Sequence, residues 1–286
     1  MANLKEIRNR IVSVSSTMQI TSAMKMVSAA KLKKAQDAIT AMRPYANKLT
    51  ELLQSLSASL DADSGSAYAD DRPVKKVLVV AITSNRGLCG AFNSNIIKQC
   101  AGIVEESYQN NEVHYMTIGK KGHDILSKRQ SVIADHSKVY DHLTFDNVAQ
   151  IAEELMALFT DGSYDRIILV YNKFKNAATQ ILMTEQFLPI VSQDEDVKVS
   201  TDYIFEPVKE EIVKELIPKS LKTQLYKSVR DSFASEHGAR MTAMHKATDN
   251  ASELRDQLKL TYNQARQAAI TNEILEIVGG AEALNN

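Results

Sequence analysis

This chain of 286 residues has no tryptophan, two cysteines, five prolines and ten glycines, and only 6% of it is aromatic. Each scarcity excludes something. Two cysteines, Cys89 and Cys100, give no disulfide framework and fit a reducing compartment. Few aromatics and a net charge of −1 argue against nucleic-acid binding, which calls for a basic excess and often for stacking rings. No stretch reaches the roughly 20 apolar residues of a membrane span, so any membrane association runs through another protein. The N-terminus carries no apolar core of signal-peptide length and no Arg/Ser-rich transit pattern.

The glycines and prolines are also unevenly placed. Residues 1–64 contain no glycine and one proline, Pro44, and neither residue type occurs between Gly238 and Gly279. Forty residues of unbroken helix would be about 60 Å long, more than a domain of this size is wide. On the N-terminal segment Leu4, Ile7, Ile11, Val14 and Met18 fall three and four apart, and Leu49, Leu52, Leu53, Leu56 and Leu60 form a second stripe. A helix of about 55 residues is expected, bent or interrupted at Arg43-Pro44. In the C-terminal segment Leu254, Leu258, Thr261, Ala265, Ala268, Asn272 and Leu275 follow a coiled-coil repeat whose small members let two helices approach closely. The two terminal helices are read as wrapping around each other within one chain; a coiled coil between chains is the alternative.

Charge divides the chain as well. Residues 1–60 hold nine Lys/Arg against three Asp/Glu, and residues 61–205 hold fourteen against twenty. A basic helix joined to an acidic middle suggests different partners for the two parts. The polar, acidic stretch 61–73 reads as a linker, and beyond it the periodicity changes. Val77–Ile82 is an apolar β-branched run typical of a strand buried on both faces. Further strands are expected at 113–118, 132–139, 167–171 and 178–187, with helices at 93–109, 123–129 and 145–159. The alternation implies an α/β domain with a mostly parallel sheet. The predicted organisation is an N-terminal helix over 1–60, a linker over 61–73, a Rossmann-like α/β domain over 74–205 and a C-terminal helix over 206–286.

A strand–turn–helix such as Asn85 to Asn93 invites a phosphate-binding reading, but Gly87-Leu88-Cys89-Gly90-Ala91 is neither G-x-G-x-x-G nor a P-loop. A tight connection using Gly87 and Gly90 for torsion or clearance is the simpler account. Cys89 reads as a small buried thiol rather than a nucleophile. The six histidines form no metal-ligand spacing, and Asp194-Glu195-Asp196 reads as a solvated loop. No catalytic residue, cofactor or metal site is assigned.

Four segments are more specific than any periodicity: IRNRIVSVSSTMQITSAMKMVSAAKLKKA, TSNRGLCGAFN, EHGARMTAMHKATDNA and TYNQARQAAITNEILEIVGGAEAL. In this order they resemble the gamma subunits of the F-type rotary ATP synthases over essentially the whole chain. The resemblance implies an antiparallel coiled coil of the terminal helices with a Rossmann-like domain. It also implies a non-catalytic central-stalk rotor, one copy per complex, turning inside a hexamer of alpha and beta subunits and bound to the epsilon subunit and the ring of c subunits. That rotor couples proton flow to ATP synthesis or hydrolysis and regulates ATPase activity, with the chemistry in the beta subunits. By resemblance Arg240, Arg266, Gln267 and Thr271 correspond to positions that meet catch loops of the beta subunits, with Met24 and Lys25 in the same region. Chloroplast members carry an inserted cysteine pair after residue 190, whereas Val197–Phe205 has none, so thiol regulation of that type is not expected. The cytoplasmic face of a bacterial plasma membrane is the expected location. An α/β protein that binds a nucleotide or another small molecule and dimerises through helical arms is the alternative function.

Overall fold

A computed structural model describes residues 4–57, 67–70, 72–190 and 209–284. The chain forms two compact units, one of residues 29–240 and the other of residues 1–28 with 241–286. Most of the expected linker 61–73, the acidic loop at Asp194, the stretch 197–205 and Leu60 lie outside the described residues.

The larger unit is a five-stranded sheet in the order β3-β2-β1-β4-β5. Its strands are β1 (Lys76–Ile82), β2 (Glu112–Ile118), β3 (Val132–Asp135), β4 (Arg166–Phe174) and β5 (Gln180–Leu188), and its helices are α2 (Phe92–Ser107), α3 (Lys120–Leu126) and α4 (Phe145–Thr160). The long helices α1 (Leu4–Ser57) and α5 (Lys209–Leu284) run through both units. β1 pairs in parallel with both β2 and β4, so the first βαβ unit builds outward on one side and the chain then returns to build on the other. β4 and β5 are antiparallel, as five intervening residues require, since a parallel pair needs a crossover of a dozen or more. In that link the Asn176 carboxamide oxygen accepts the backbone N–H groups of Ala178 and Thr179.

Period-two alternation sorts the core onto the two faces of the sheet. Leu78, Val80 and Ile82 of β1 join Ile167, Leu169 and Tyr171 of β4 beneath α4 and the part of α5 bearing Ile217, Leu221, Leu225 and Val229. Val77, Val79, Ala81, Ile168 and Val170 face the other way, toward Phe92, Ile96, Cys100 and Ile103 of α2 and Leu126 of α3. Each fully buried side chain of this size contributes about 1.5–3 kcal/mol relative to exposure. Three expected elements differ by three residues or more at an end, and β4 runs on to Phe174, past the expected end at Tyr171. β3 stops at Asp135, whose carboxylate accepts the backbone N–H and hydroxyl of Ser137 and turns the chain into a 3₁₀ turn at 137–140. α3 begins at Lys120, immediately after Gly119, whose φ of 127° suits glycine.

Of the bend or interruption expected at Arg43-Pro44, no interruption occurs, and α1 continues through Pro44. Pro44 lies on the exposed side, where one missing backbone hydrogen bond does not touch the buried stripe. That stripe keeps the three-and-four spacing through Leu32, Ala35, Ile39, half-buried Met42, Ala46 and Leu49.

In the smaller unit, Ile7, Thr21 and Ser28 of α1 are buried, as are Met244 and Ala251 of α5. The Thr21 and Thr248 hydroxyls meet at 2.8 Å, and the Arg255 guanidinium donates to the Met18 sulfur at 3.5 Å. Going down in number on α1 matches going up on α5, so the two helices are antiparallel. The seam on α5 differs in phase from the one expected. Buried or half-buried positions run Met244, Thr248, Ala251, Arg255, Leu258, Tyr262 and Ala265, while Leu254, Thr261, Ala268, Asn272 and Leu275 are exposed. Only Leu258 and Ala265 of the expected seam lie in it.

Candidate functional site: the β1–α2 loop, its arginine and the uncovered helix end

β1 ends where the hydrogen bonding becomes densest. The Thr83 hydroxyl donates to the Gly119 carbonyl at 3.0 Å and accepts the Gly122 N–H at 2.9 Å. A Cβ on Gly119 would stand 2.2 Å from the Thr83 carbonyl oxygen, so only glycine lets the two loops approach this closely. Ser84 and Asn93 bind each other through backbone and side chain, tying the start of α2 to the end of β1. Asn85 donates to the Ser137 carbonyl and accepts the Lys120 N–H. Between these ties, Leu88 and Gly90 both take φ of 61°. Leu88 is the one non-glycine residue with positive φ among the described residues, and it is 65% exposed.

In doubly wound sheets a ligand sits outside the carboxyl ends of the strands where the strand order reverses, here between β1 and β4. α5 fills that place. The Ser232 hydroxyl reaches the Ile82 carbonyl at 3.4 Å, and the Gly238 backbone packs against Ala177 in the β4–β5 link. Arg240 then closes on the loop, its Nη2 donating to the Arg86 carbonyl at 2.8 Å and to the Gly87 carbonyl at 3.2 Å, and its Nε donating to Gly87 at 3.2 Å. Its Nη1 pairs with the Glu236 carboxylate at 2.7 Å and lies 3.4 Å from His237 Nδ1.

The loop thus turns carbonyl oxygens inward, where a phosphate cradle would present N–H groups. The geometry favours a tight, internally tied connection over an anion site. Burial holds the Cys89 thiol above its ordinary pKa, with Ser84 opposing, so it stays a thiol. Burial also raises the Glu236 carboxyl against the opposing pull of Arg240, Lys31 and Arg86. His237 is pushed down to about 3, first by burial and then by Arg240 and Lys31, so it is neutral at physiological pH. Among the described residues no group of three His, Cys, Asp or Glu side chains is placed to hold a metal ion, and no helix is long and apolar enough to cross a membrane.

The residues expected to meet partners fall into three settings. Met24 and Lys25 are half-buried on α1. Arg240 is 6% exposed and turned onto its own chain, because two carbonyls and a carboxylate converge on its guanidinium. Arg266, Gln267 and Thr271 are exposed on α5, with the Thr271 hydroxyl bonded to the Gln267 carbonyl one turn back. Beside these three, Ile270, Ile274, Leu275, Ile277 and Val278 are all exposed, Leu275 by 62%. Carrying the Thr21–Thr248 register along the antiparallel pair sets Leu4 opposite Ala265. Beyond that point every described side chain of α5 is exposed. The expected seam placed Leu275 inside, whereas the stripe through Met244, Thr248 and Ala251, extended by threes and fours, leaves Leu275 and the other four off its line.

The fold and site define a class: a doubly wound α/β unit whose ligand crevice is filled by its own C-terminal helix, and a second unit in which the two terminal helices pair antiparallel and the last turns of α5 are exposed. The family model described as ATP synthase matches residues 3–284, and the ATP synthase gamma chain of Flavobacterium psychrophilum is 74% identical over 285 residues, 99% of each chain. The chain belongs to the ATP synthase gamma chains. The gamma chain of Flavobacterium johnsoniae is 72% identical over the full length of both. A chain from a cryo-EM structure of the Euglena gracilis mitochondrial ATP synthase, comprising OSCP, F1 and c-ring, shares the fold with a TM-score of 0.73. It is 24% identical, with 98% of this chain and 94% of that one covered.

Proposed function

We propose that this gamma chain is the non-catalytic rotor of the central stalk of a bacterial F-type ATP synthase. One copy turns within three alpha and three beta subunits and binds the epsilon subunit and the c-ring. The observation that carries this is the uncovered end of α5: a helix bearing Arg266, Gln267 and Thr271 next to five exposed aliphatic residues, with no helix beside it among the described residues. Such a surface suits a sleeve of surrounding subunits, and its polar members can make and break hydrogen bonds at each step without the deep apolar anchoring that would stall a shaft. Met24 and Lys25 on α1 are assigned to the same bearing. The protein stays at the cytoplasmic face of the plasma membrane through its partners, and rotation driven by proton flow sets the nucleotide state of each beta subunit in turn.

The test is a reversible lock. A cysteine replacing exposed Ala269 is cross-linked to a cysteine in a beta subunit of the purified complex, and ATP hydrolysis is followed before and after reduction. Turnover that stops on oxidation and returns on reduction is expected; full turnover in the locked complex makes the chain a static scaffold instead.

A further inference from the structure

α5 is attached to the α/β unit by two kinds of contact, in sequence. Through Ile217, Leu221, Leu225 and Val229 it is held by apolar packing, which is strong and non-directional. From Asp231 to Arg240 the buried positions are largely polar: Asp231, Ser232, Ser235, Glu236, His237 and Arg240. Arg240 is the last residue of this unit before α5 passes into the other. A buried ion pair is a weak source of stability, since desolvation offsets the attraction, but it fixes orientation in a way that apolar contact does not. Here the planar guanidinium is held at one edge by Glu236 of its own helix and at the other by two consecutive carbonyls of the β1–α2 loop. Rotation of α5 about its axis against the sheet would break both carbonyl bonds together. The loop is itself tied to β1, α2, α3 and the 137–140 turn through Thr83, Ser84 and Asn85.

We propose that Glu236 and Arg240 form a torsional latch, with Arg240 as a positioning residue that fixes the rotational setting of α5 against the α/β unit, so that rotation of one is passed to the other without slip. The inference rests on the rotor reading above and goes beyond it, because it names where within the chain the turning force is carried. Removing the latch uncouples proton movement from catalysis more than it slows catalysis. A lysine at 240 does not substitute, because a single ammonium cannot span the carboxylate and two carbonyls as the guanidinium fork does.

The test uses membrane vesicles carrying the whole complex, with ATP hydrolysis and ATP-driven acidification measured together. In Arg240→Gln and Arg240→Lys, acidification per ATP hydrolysed is expected to fall by about threefold or more, a ratio that does not depend on the turnover itself, with Glu236→Gln showing a smaller fall. Amides at 84–92 should exchange hydrogen faster in the variants. Where Arg240→Gln does not assemble, Arg240→Lys and Glu236→Gln carry the same comparison. Unchanged acidification per ATP in the assembled variants overturns the latch alone, provided the Ala269→Cys lock stops the native complex. A native complex that runs while locked overturns the rotor reading, and the latch with it.

Discussion

The backbone of Gly238 lies against that of Ala177 so closely that a Cβ at 238 would stand 3.2 Å from the Ala177 carbonyl oxygen. Alanine there gains about 1 kcal/mol of helix propensity over glycine, and a few tenths of an ångström of movement offsets it. Gly238→Ala should therefore change stability by less than about 1 kcal/mol, whereas Gly238→Val, with two further carbons against the same backbone, should cost about 2–3 kcal/mol. Urea unfolding followed by circular dichroism separates the two; equal midpoints would mean that the contact is not tight.

Thr21 and Thr248 link the antiparallel helices through their hydroxyls, and each also lies within hydrogen-bonding distance of a carbonyl on its own helix, Met18 and Met244 respectively. Changing either threonine to valine should cost about 1 kcal/mol, and changing both should cost less than the sum, leaving a coupling of about 0.5–1 kcal/mol. A double-mutant cycle on the melting of the helical signal checks this. Strict additivity would show that the two hydroxyls do not depend on each other.

His237 makes stability depend on pH with a definite sign. Its pKa falls from 6.5 to about 3 on folding, so between those values the unfolded chain binds a proton that the folded chain does not. The stability associated with the neutral ring is present above pH 6.5 and is lost as pH falls toward 3. Lowering pH from 7 to 5.5 should cost about 1 kcal/mol through this residue. Comparing urea midpoints of the native chain and His237→Gln at both pH values isolates it from the carboxylates; identical slopes would remove His237 as the source.

Arg266→Ala combined with Gln267→Ala should lower ATP hydrolysis by the assembled complex about tenfold, while circular dichroism of the α/β unit is unchanged. A charge-assisted hydrogen bond is worth about 1.5–3 kcal/mol when shielded from water, and a loss confined to the rate-limiting step appears as that factor in turnover. Unaltered turnover in a complex of correct stoichiometry would take both residues out of the bearing.

Where packing follows local periodicity, the sequence was readable. β1 and β4 announce themselves as β-branched runs because both their faces are covered, and the stripe on α1 keeps one phase from Leu4 to Leu49. The α5 seam was legible as a repeat but not in phase, because small and polar residues such as Thr248 and Ala251 fill the contact while leucines at 254 and 275 face outward. A proline on the outer face of a long helix loses one hydrogen bond and no packing, so Pro44 does not interrupt α1. Arg240 belongs to a segment that the family resemblance singled out, but its direction depends on two carbonyls 153 and 154 residues away, a pairing that no local pattern encodes.

The uncovered tip of α5 also bears on how the protein can be made. Five aliphatic side chains on a helix that outruns its neighbour form a sticky end, stable as secondary structure yet exposed among the described residues. A newly made chain released in excess of its sleeve would meet other copies of itself first. Recombinant production should therefore yield cleaner material when the hexamer subunits are made alongside it.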